Sequence, residues 1–484
     1  MTSSDTPVPG PTELAVEESP IPGLLVLTLP VHGDNRGWFK ENWQREKMVA
    51  LGLPDFEPVQ NNVSFNAASG TTRGFHAEPW DKYVAVATGR IFGAWVDLRE
   101  GPTFGVAHTV TMGPGTAVFV PRGVANAYQT LEPHTAYSYL VNDHWSPAAR
   151  DRYTFLNLAD ETVGVAWPLP LGEAELSAAD QAHPRLAGVA PMPPLRTLVL
   201  GARGQLGRAL LEAMPAAVGA GREEVDLADA ASVAAWDWSP YDVVVNAAAY
   251  TRVDLAESEE GRRQAWAANA SGVRRLAELA RQHRFTLVHV SSDYVFDGSA
   301  APYDEEAPLA PLGVYGQTKA AGDLAAAGAP RHYVVRTSWV VGEGSNFVRT
   351  MADLADRGVS PRVVADQTGR LTFTSDLAAA IGHLVRTRAP YGVYHMSNAG
   401  PATTWCEIAR EVFRLRSRDP AAVLPVSTEE YAAGKDLAPR PANSLLDLAK
   451  LEATGFTPRE AFDALADHLA GRDQPGATDA PEAS

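Results

Sequence analysis

The chain has 484 residues, 45% of them hydrophobic and 20% charged, and a formal net charge of −17. These are globular proportions in a chain too long for one ordinary core. An acidic surface repels nucleic-acid backbones and anionic lipid, so neither is expected as a partner. A single cysteine, Cys406, excludes an intrachain disulfide. No run approaches the roughly 18 apolar residues of a membrane helix. The start also lacks a basic segment followed by an apolar one, so a cytoplasmic protein is expected.

From Ile21 to Trp167 short β-rich runs alternate with Gly- and Pro-containing turns, as in DKYVAVATGRIFGAWVDL and HTVTMGPGTAVFVPRG. Closely spaced strands without a long amphipathic helix predict an antiparallel sandwich or barrel. HPRLAGVAPMPPLR, Pro-rich and aperiodic, marks a boundary. Beyond it, apolar runs such as RTLVLGA, YDVVVNAAA and FTLVHVSSDYVF alternate with Ala/Leu/Arg-rich helical stretches. That alternation predicts an α/β, doubly wound parallel sheet. The expected organisation is therefore a first domain over 1–185, a linker over 186–194, a second domain over 195–470 and a disordered tail over 471–484.

In LVLGARGQLGRAL, Gly201, Gly204 and Gly207 form GxxGxxG between a predicted strand and a predicted helix. Glycine lets the backbone turn tightly and approach a pyrophosphate seated on the helix N-terminus. Asp226, in EVDLAD, is a candidate ribose ligand. Arg203 and Arg222 are candidates for a 2′-phosphate, so NADH and NADPH both remain open.

Tyr315 and Lys319, in VYGQTKAAGD, share one helical face through their i, i+4 spacing. A nearby cation favours ionised tyrosinate, and Tyr315 can pass a proton to a carbonyl oxygen. Ser292 closes the strand in VHVSSDYVFDG, where such folds keep their chemistry.

These stretches, together with VVNAAAYTRVDLAE, RTSWVVGEGSNFV, VADQTGR and RPANSLLDLAKL, resemble the dTDP-4-dehydrorhamnose reductase family. The resemblance implies an extended short-chain dehydrogenase of Rossmann type, NAD(P)H, and a nucleotide-linked 4-keto sugar. It assigns catalysis to Ser292, Tyr315 and Lys319. It places Gly204, Gln205, Leu206, Ala248, Ala249, Tyr250, Tyr315 and Lys319 at the cofactor, and Thr251 and Trp339 near the substrate. Some members bind magnesium through an acid just after the glycine turn. Arg208-Ala209 stand there in this chain, so no metal is expected.

The first half resembles the dTDP-4-dehydrorhamnose 3,5-epimerase family, a cupin-like jelly roll. The resemblance rests on RGFHAEPWDKYV, GDNRGWFKE, QNNVS, VDLREGPTFG and AVFVPRGVANAY. It implies a proton-transfer site without a cofactor. His76 suits the base, since a neutral imidazole works near pH 7. By family position Asp160 orients His76, Tyr139 returns a proton from the opposite face, and Lys82 stabilises the enolate. Arg36, Glu41, Gln60, Asn62, Arg73 and Lys82 hold the nucleotide sugar, with Trp145 in place of a stacking tyrosine. The family's GFAHGF is GVANAY here, so Asn126 replaces a histidine. An amide donates a hydrogen bond but carries no charge.

Together the two resemblances imply a bifunctional, dimeric enzyme. It would epimerise dTDP-4-dehydro-6-deoxy-D-glucose at C3 and C5 and reduce the C4 ketone. The alternative is an active reductase whose epimerase-like half serves only dimerisation or substrate capture.

Overall fold

The computed structural model describes residues 13–472. It divides after Pro194 into two compact units. The last helix runs through Arg472, and the rest of the expected tail lies outside the described residues.

The first unit contains, in chain order, strands β1 (Ala15–Glu18), β2 (Leu25–Thr28), β3 (His32–Asp34) and β4 (Gly37–Phe39), and helix α1 (Arg45–Ala50). Then come β5 (Gln60–Asn66), β6 (Thr72–Ala77), β7 (Lys82–Thr88), β8 (Ile91–Asp97), β9 (Ala107–Met112), β10 (Thr116–Val120), β11 (Val124–Thr130), β12 (Thr135–Val141), β13 (Thr154–Phe155) and helix α2 (Ala178–Gln181). Two antiparallel sheets result, ordered β1-β2-β10-β7-β12-β5 and β13-β6-β11-β8-β9, a jelly-roll-like sandwich. The hairpin β3–β4 stands apart from both.

Strand periodicity sorts the side chains of this unit. On β7 and β10, Val84, Val86, Val118 and Val120 point between the sheets, against Trp95, Ile91 and Tyr128. Their neighbours Tyr83, Ala85, Ala117 and Phe119 point the other way, onto Met48 of α1, Leu53 and Phe56. Both faces are covered, so the run KYVAV reads as continuously apolar after its first residue. On β11, Val124 and Tyr128 face the interior and carry Asn126 with them, while Ala125 and Ala127 pack outward on Phe75 and Leu156. A register shift between β6 and β11 sets Arg73 opposite Tyr128 and His76 opposite Asn126. This bulge brings both basic residues of β6 to the interior face. Gly74 sits in it at φ 119°, where a Cβ would lie 2.6 Å from the Asn126 carbonyl oxygen.

The second unit runs β14 (Arg196–Leu200), α3 (Gln205–Ala213), β15 (Val218–Ala220), α4 (Ala230–Ala235), β16 (Tyr241–Asn246), α5 (Glu259–Trp266), α6 (Val273–His283), β17 (Thr286–Ser292), α7 (Val314–Ala326) and β18 (His332–Thr337). The sheet order is β15-β14-β16-β17-β18 followed by the strand Gly392–Met396, parallel throughout and Rossmann-like. Leu276, Ala280 and Ala326 cover one face, and Leu210, Leu377 and Ile381 the other. Strand order reverses between β14 and β16, and ligands of such sheets bind outside the strand ends at that point. A further core, including Val348, Phe373, Ile408 and Leu465, is built largely from helices later in the chain.

Candidate active sites

In the first unit, residues far apart in sequence converge between the sheets. His76 Nε2 lies 3.0 Å from Asp180 Oδ1. Asp180 is positioned by a short N-cap, with its amide donating to Ser177 Oγ at 3.1 Å. Burial works against its charge, but the hydrogen bonds from His76 and Ser177 hold the carboxyl below its usual range. His183 Nε2 lies 4.0 Å from the same oxygen. Burial lowers the His183 pKa and so favours its neutral form.

Asp160 does not orient His76. It is buried, and Oδ1 accepts the Thr162 and Val163 amides while Oδ2 accepts the Leu186 amide at 2.7 Å. Asp160 therefore closes a turn and ties it to the chain beyond. Asp180 was missed by the sequence reading, although Ser177 three residues earlier is a visible N-cap signal.

Lys82 is buried on β7 and ion-pairs with Glu78, yet burial pushes its pKa down to about 7. Its Nζ lies 4.9 Å from the centre of the Tyr139 ring. Burial raises the Tyr139 hydroxyl, with the charge of Arg73 opposing. Asn126 accepts from the Tyr137 hydroxyl at 3.1 Å, which fixes the amide's orientation. Asn62 is the β5 residue directly opposite Tyr139. Gln60 donates to Asn62 and accepts the Trp145 amide at 3.1 Å, and the Trp145 ring is largely exposed. Arg73 donates to Asn66 at 3.2 Å. Arg36 and Glu41 are exposed and pair with Asp34 and Lys47 respectively.

In the second unit, the glycine turn joins β14 to α3. Gly201 has φ 75°, and a Cβ there would meet the Ala248 nitrogen at 2.7 Å. A Cβ on Gly207 would lie 2.1 Å from the Gly201 oxygen, so helix and strand pack at glycine distance. No side chain caps α3, whose first residues are Gln205 and Leu206. The uncapped amides and the close backbone approach fit a dinucleotide pyrophosphate.

Beyond β15, Arg203 bridges Glu223 and Glu224 at 2.8 and 2.7 Å. Asp226 accepts from Arg222 and from the Ala228 amide. After β16, the Ala248 amide donates to Asn246. Asn269, in a π-helical turn between α5 and α6, clamps Tyr250 by accepting its amide at 2.8 Å and donating to its carbonyl at 3.0 Å. The same amide group reaches Thr318 on α7 at 3.1 Å. Ala249 and Thr251 flank Tyr250 and are exposed.

Ser292 ends β17 and hydrogen-bonds both Asp293, at 2.9 Å, and Tyr315. Lys319 is buried and donates to the Val290 carbonyl at 2.7 Å. Burial lowers the Lys319 pKa to about 8, against the charge of Asp323 one helical turn on. Asp323 in turn pairs with Arg336 at 2.9 Å. Burial, then the charges of Asp293 and Tyr294, raise the Tyr315 pKa, which opposes the expected tyrosinate.

Asp293, itself raised to about 6 by burial, was also missed by the sequence reading. So were Tyr294, whose ring lies edge-on to Tyr315 at 5.4 Å, and the Asp254–Arg440 pair at 2.9 and 3.0 Å. Trp339, at φ 44°, stacks on Trp405 at 3.9 Å.

The family model for the RmlD substrate binding domain matches residues 195–472, and that for dTDP-4-dehydrorhamnose 3,5-epimerase matches residues 18–188. Protein RmlC homolog of Streptococcus pyogenes serotype M6 is 52% identical over 179 residues, 36% of this chain and 90% of that protein. The dTDP-4-dehydrorhamnose reductase of Streptomyces griseus is 42% identical over 310 residues, 60% of this chain and 99% of that protein. A crystal structure of dTDP-4-dehydrorhamnose reductase from Bacillus anthracis in complex with NADP superposes with a TM-score of 0.53 at 33% identity. It covers 58% of this chain and 99% of that one. With a family match over each unit, the chain belongs to the dTDP-4-dehydrorhamnose 3,5-epimerase family in its first half and to the RmlD reductase family in its second, as a fusion of the two.

Proposed function

We propose that the chain catalyses two successive steps toward dTDP-L-rhamnose. The first is 3,5-epimerisation of dTDP-4-dehydro-6-deoxy-D-glucose, and the second is reduction of the C4 ketone of the product. The reading is supported by the meeting of His76 with Asp180 and of Lys82 with the Tyr139 ring in the first unit, and by the hydrogen bond of Ser292 with Tyr315, one helical turn from Lys319, in the second. The units are best classed as a cupin-like epimerase and an extended short-chain dehydrogenase.

In the first unit His76 accepts a proton from the carbon beside the ketone, and Asp180 stabilises the imidazolium that forms. Lys82 faces the developing enolate oxygen, and Asn126 donates a neutral hydrogen bond. Tyr139, whose raised pKa keeps it protonated, returns a proton from the other face. Arg73, Gln60, Asn62 and Trp145 orient the nucleotide sugar, with Arg36 and Glu41 on the exposed hairpin side.

In the second unit a nicotinamide cofactor, when bound, supplies hydride to C4. Gln205, Leu206, Ala248, Ala249 and Tyr250 hold it at the strand ends. Tyr315 donates its proton to the ketone oxygen, Ser292 holds that oxygen in place, and Lys319 stabilises the resulting charge. Thr251 and Trp339 border the sugar. Arg203, beside the end of β15, favours NADPH, in keeping with the NADP-bound Bacillus anthracis relative. No metal is assigned to this step.

Among the described residues no helix is long and apolar enough to cross a membrane, which suits a cytoplasmic enzyme. Val63 and Phe65 on the edge strand β5 are 64% and 60% exposed, which favours a homodimer through that face.

The deciding experiment supplies the 4-keto-6-deoxyglucose nucleotide with NADPH and identifies the product sugar by NMR. dTDP-L-rhamnose is expected. A product still of D configuration would reject the epimerase and leave the alternative that Asn126 favours, a reductase with a binding domain. Absence of NADPH oxidation would reject the reductase.

A further inference from the structure

We propose that His76, Asp180 and His183 form a binding site for a divalent transition-metal ion, and that an ion bound there switches off the epimerase chemistry. The site is independent of any reading of function; the inhibition rests on His76 being the base.

Each of the three residues offers one ligand atom, and these atoms all lie within 4.8 Å of one another. No other group of three such ligands occurs among the described residues. Asp180 Oδ1 is central, 3.0 Å from His76 Nε2 and 4.0 Å from His183 Nε2. Zinc bonds to histidine nitrogen and carboxylate oxygen at roughly 2.0–2.2 Å in a tetrahedral shell, so two ligands of one ion stand about 3.3–3.6 Å apart, and the widest pair here must close by no more than about 1.5 Å. A small rotation of either ring therefore closes the set.

Two imidazoles and one carboxylate suit zinc, cobalt or nickel better than calcium or magnesium, which prefer all-oxygen shells. The scaffold is firm. His183 stacks on Phe155 at 4.7 Å, His76 meets the same ring edge-on at 5.6 Å, and Ser177 fixes Asp180. The His76 side chain is 36% exposed while Asp180 and His183 are 8% and 11% exposed. An ion thus has a way in, and three protein ligands leave positions for solvent.

The consequence follows from one lone pair. In the metal-free chain Nε2 donates to Asp180, which leaves Nδ1 to accept the proton from carbon. An ion on Nε2 displaces that proton, the neutral ring then carries its proton on Nδ1, and no lone pair is left for the carbon acid. Coordination also takes the Asp180 oxygen that would stabilise the imidazolium. No bond to substrate changes and no electron moves; the base is simply occupied. The Tyr315–Lys319 set includes no such cluster, so ketone reduction proceeds.

The test uses untagged full-length protein stripped with EDTA. Co²⁺ titration is followed by visible absorption and Zn²⁺ by calorimetry. In parallel, deuterium wash-in from D₂O at C3 and C5 of the sugar is followed with and without Zn²⁺. One ion per chain is expected, with exchange suppressed at least 10-fold and restored by EDTA. His183→Asn is expected to weaken the ion roughly 100-fold or more while leaving metal-free exchange within about threefold. His183→Gln serves the same purpose should the first variant not fold. Failure of the wild-type chain to bind Co²⁺ or Zn²⁺ at millimolar concentration overturns the proposal. So does Zn²⁺ inhibition that is unchanged in the His183 variants. Metal binding without any exchange in the EDTA-treated protein overturns the inhibition together with the base role of His76, and leaves the site standing.

Discussion

His76 and Asp180 are 104 residues apart in sequence and 3.0 Å apart between Nε2 and Oδ1. Asp180, not Asp160, is the carboxylate that faces this imidazole. The two aspartates should therefore fail differently. Asp180→Asn keeps the shape but cannot stabilise the imidazolium, so deuterium exchange is expected to fall by roughly 10²–10⁴ with folding intact. Asp160→Asn keeps one oxygen for the Thr162 and Val163 amides but sets an N–H donor against the Leu186 amide, and is expected to cost about 1–3 kcal/mol of stability, with the folded fraction still exchanging. Denaturation midpoints and exchange rates on both variants separate the roles. The reverse pattern would return the orienting role to Asp160.

Burial raises the pKa of Tyr315, which suits the proton donor proposed for the second unit. Tyr315→Phe keeps the ring and loses the hydroxyl. NADPH oxidation is expected to drop by roughly 10²–10⁴ while cofactor affinity, read by fluorescence quenching, stays within a few-fold. Turnover near that of the wild type would remove Tyr315 from the mechanism.

Asp293 carries a pH signature. Its pKa is raised by burial from 3.8 to about 6, so between those values the folded chain keeps a proton that the unfolded chain has released. The contribution of Asp293 to stability is then fully present below about pH 4, is lost as pH rises toward about 6, and stays lost above. Asp293→Asn removes that loss. The variant should gain on the wild type across this window, by roughly 1–3 kcal/mol at pH 7 relative to pH 4. Urea unfolding at several pH values measures the difference, and a difference independent of pH would show that Asp293 titrates normally.

The outward face of β5 gives a test of assembly. Phe65→Asp puts a charge on a strand edge where the phenyl ring is 60% exposed in the single chain. If this face joins two chains, the variant should run as a monomer in sedimentation experiments while the wild type runs as a dimer. Identical sedimentation of the two would place the dimer contact elsewhere or remove it.

A part of the site could be read directly from the sequence because backbone geometry alone fixes it. Tyr315 and Lys319 share a face of α7 through helical spacing, and GARGQLG joins a strand to a helix because its glycines take conformations and contacts closed to other residues. The strand–helix alternation after Leu195 likewise specified a parallel sheet, since a strand covered on both faces must be apolar throughout.

Other features were decided by chain closure in three dimensions. Asp160 and Asp180 both sit near turns late in the first unit, and only the path of the chain back to β6 brings the second against His76. Arg440 meets Asp254 across 186 residues. The bulge at Gly74 rotates Arg73 onto the face of His76 against simple strand alternation. The direction in which burial pushes Tyr315 is likewise not legible from spacing, which brings Lys319 near but says nothing about how dry the pocket is. Local periodicity determines which way a side chain points along its own element. Which distant group it then meets, and how much water is left between them, is set by the packing of the whole unit.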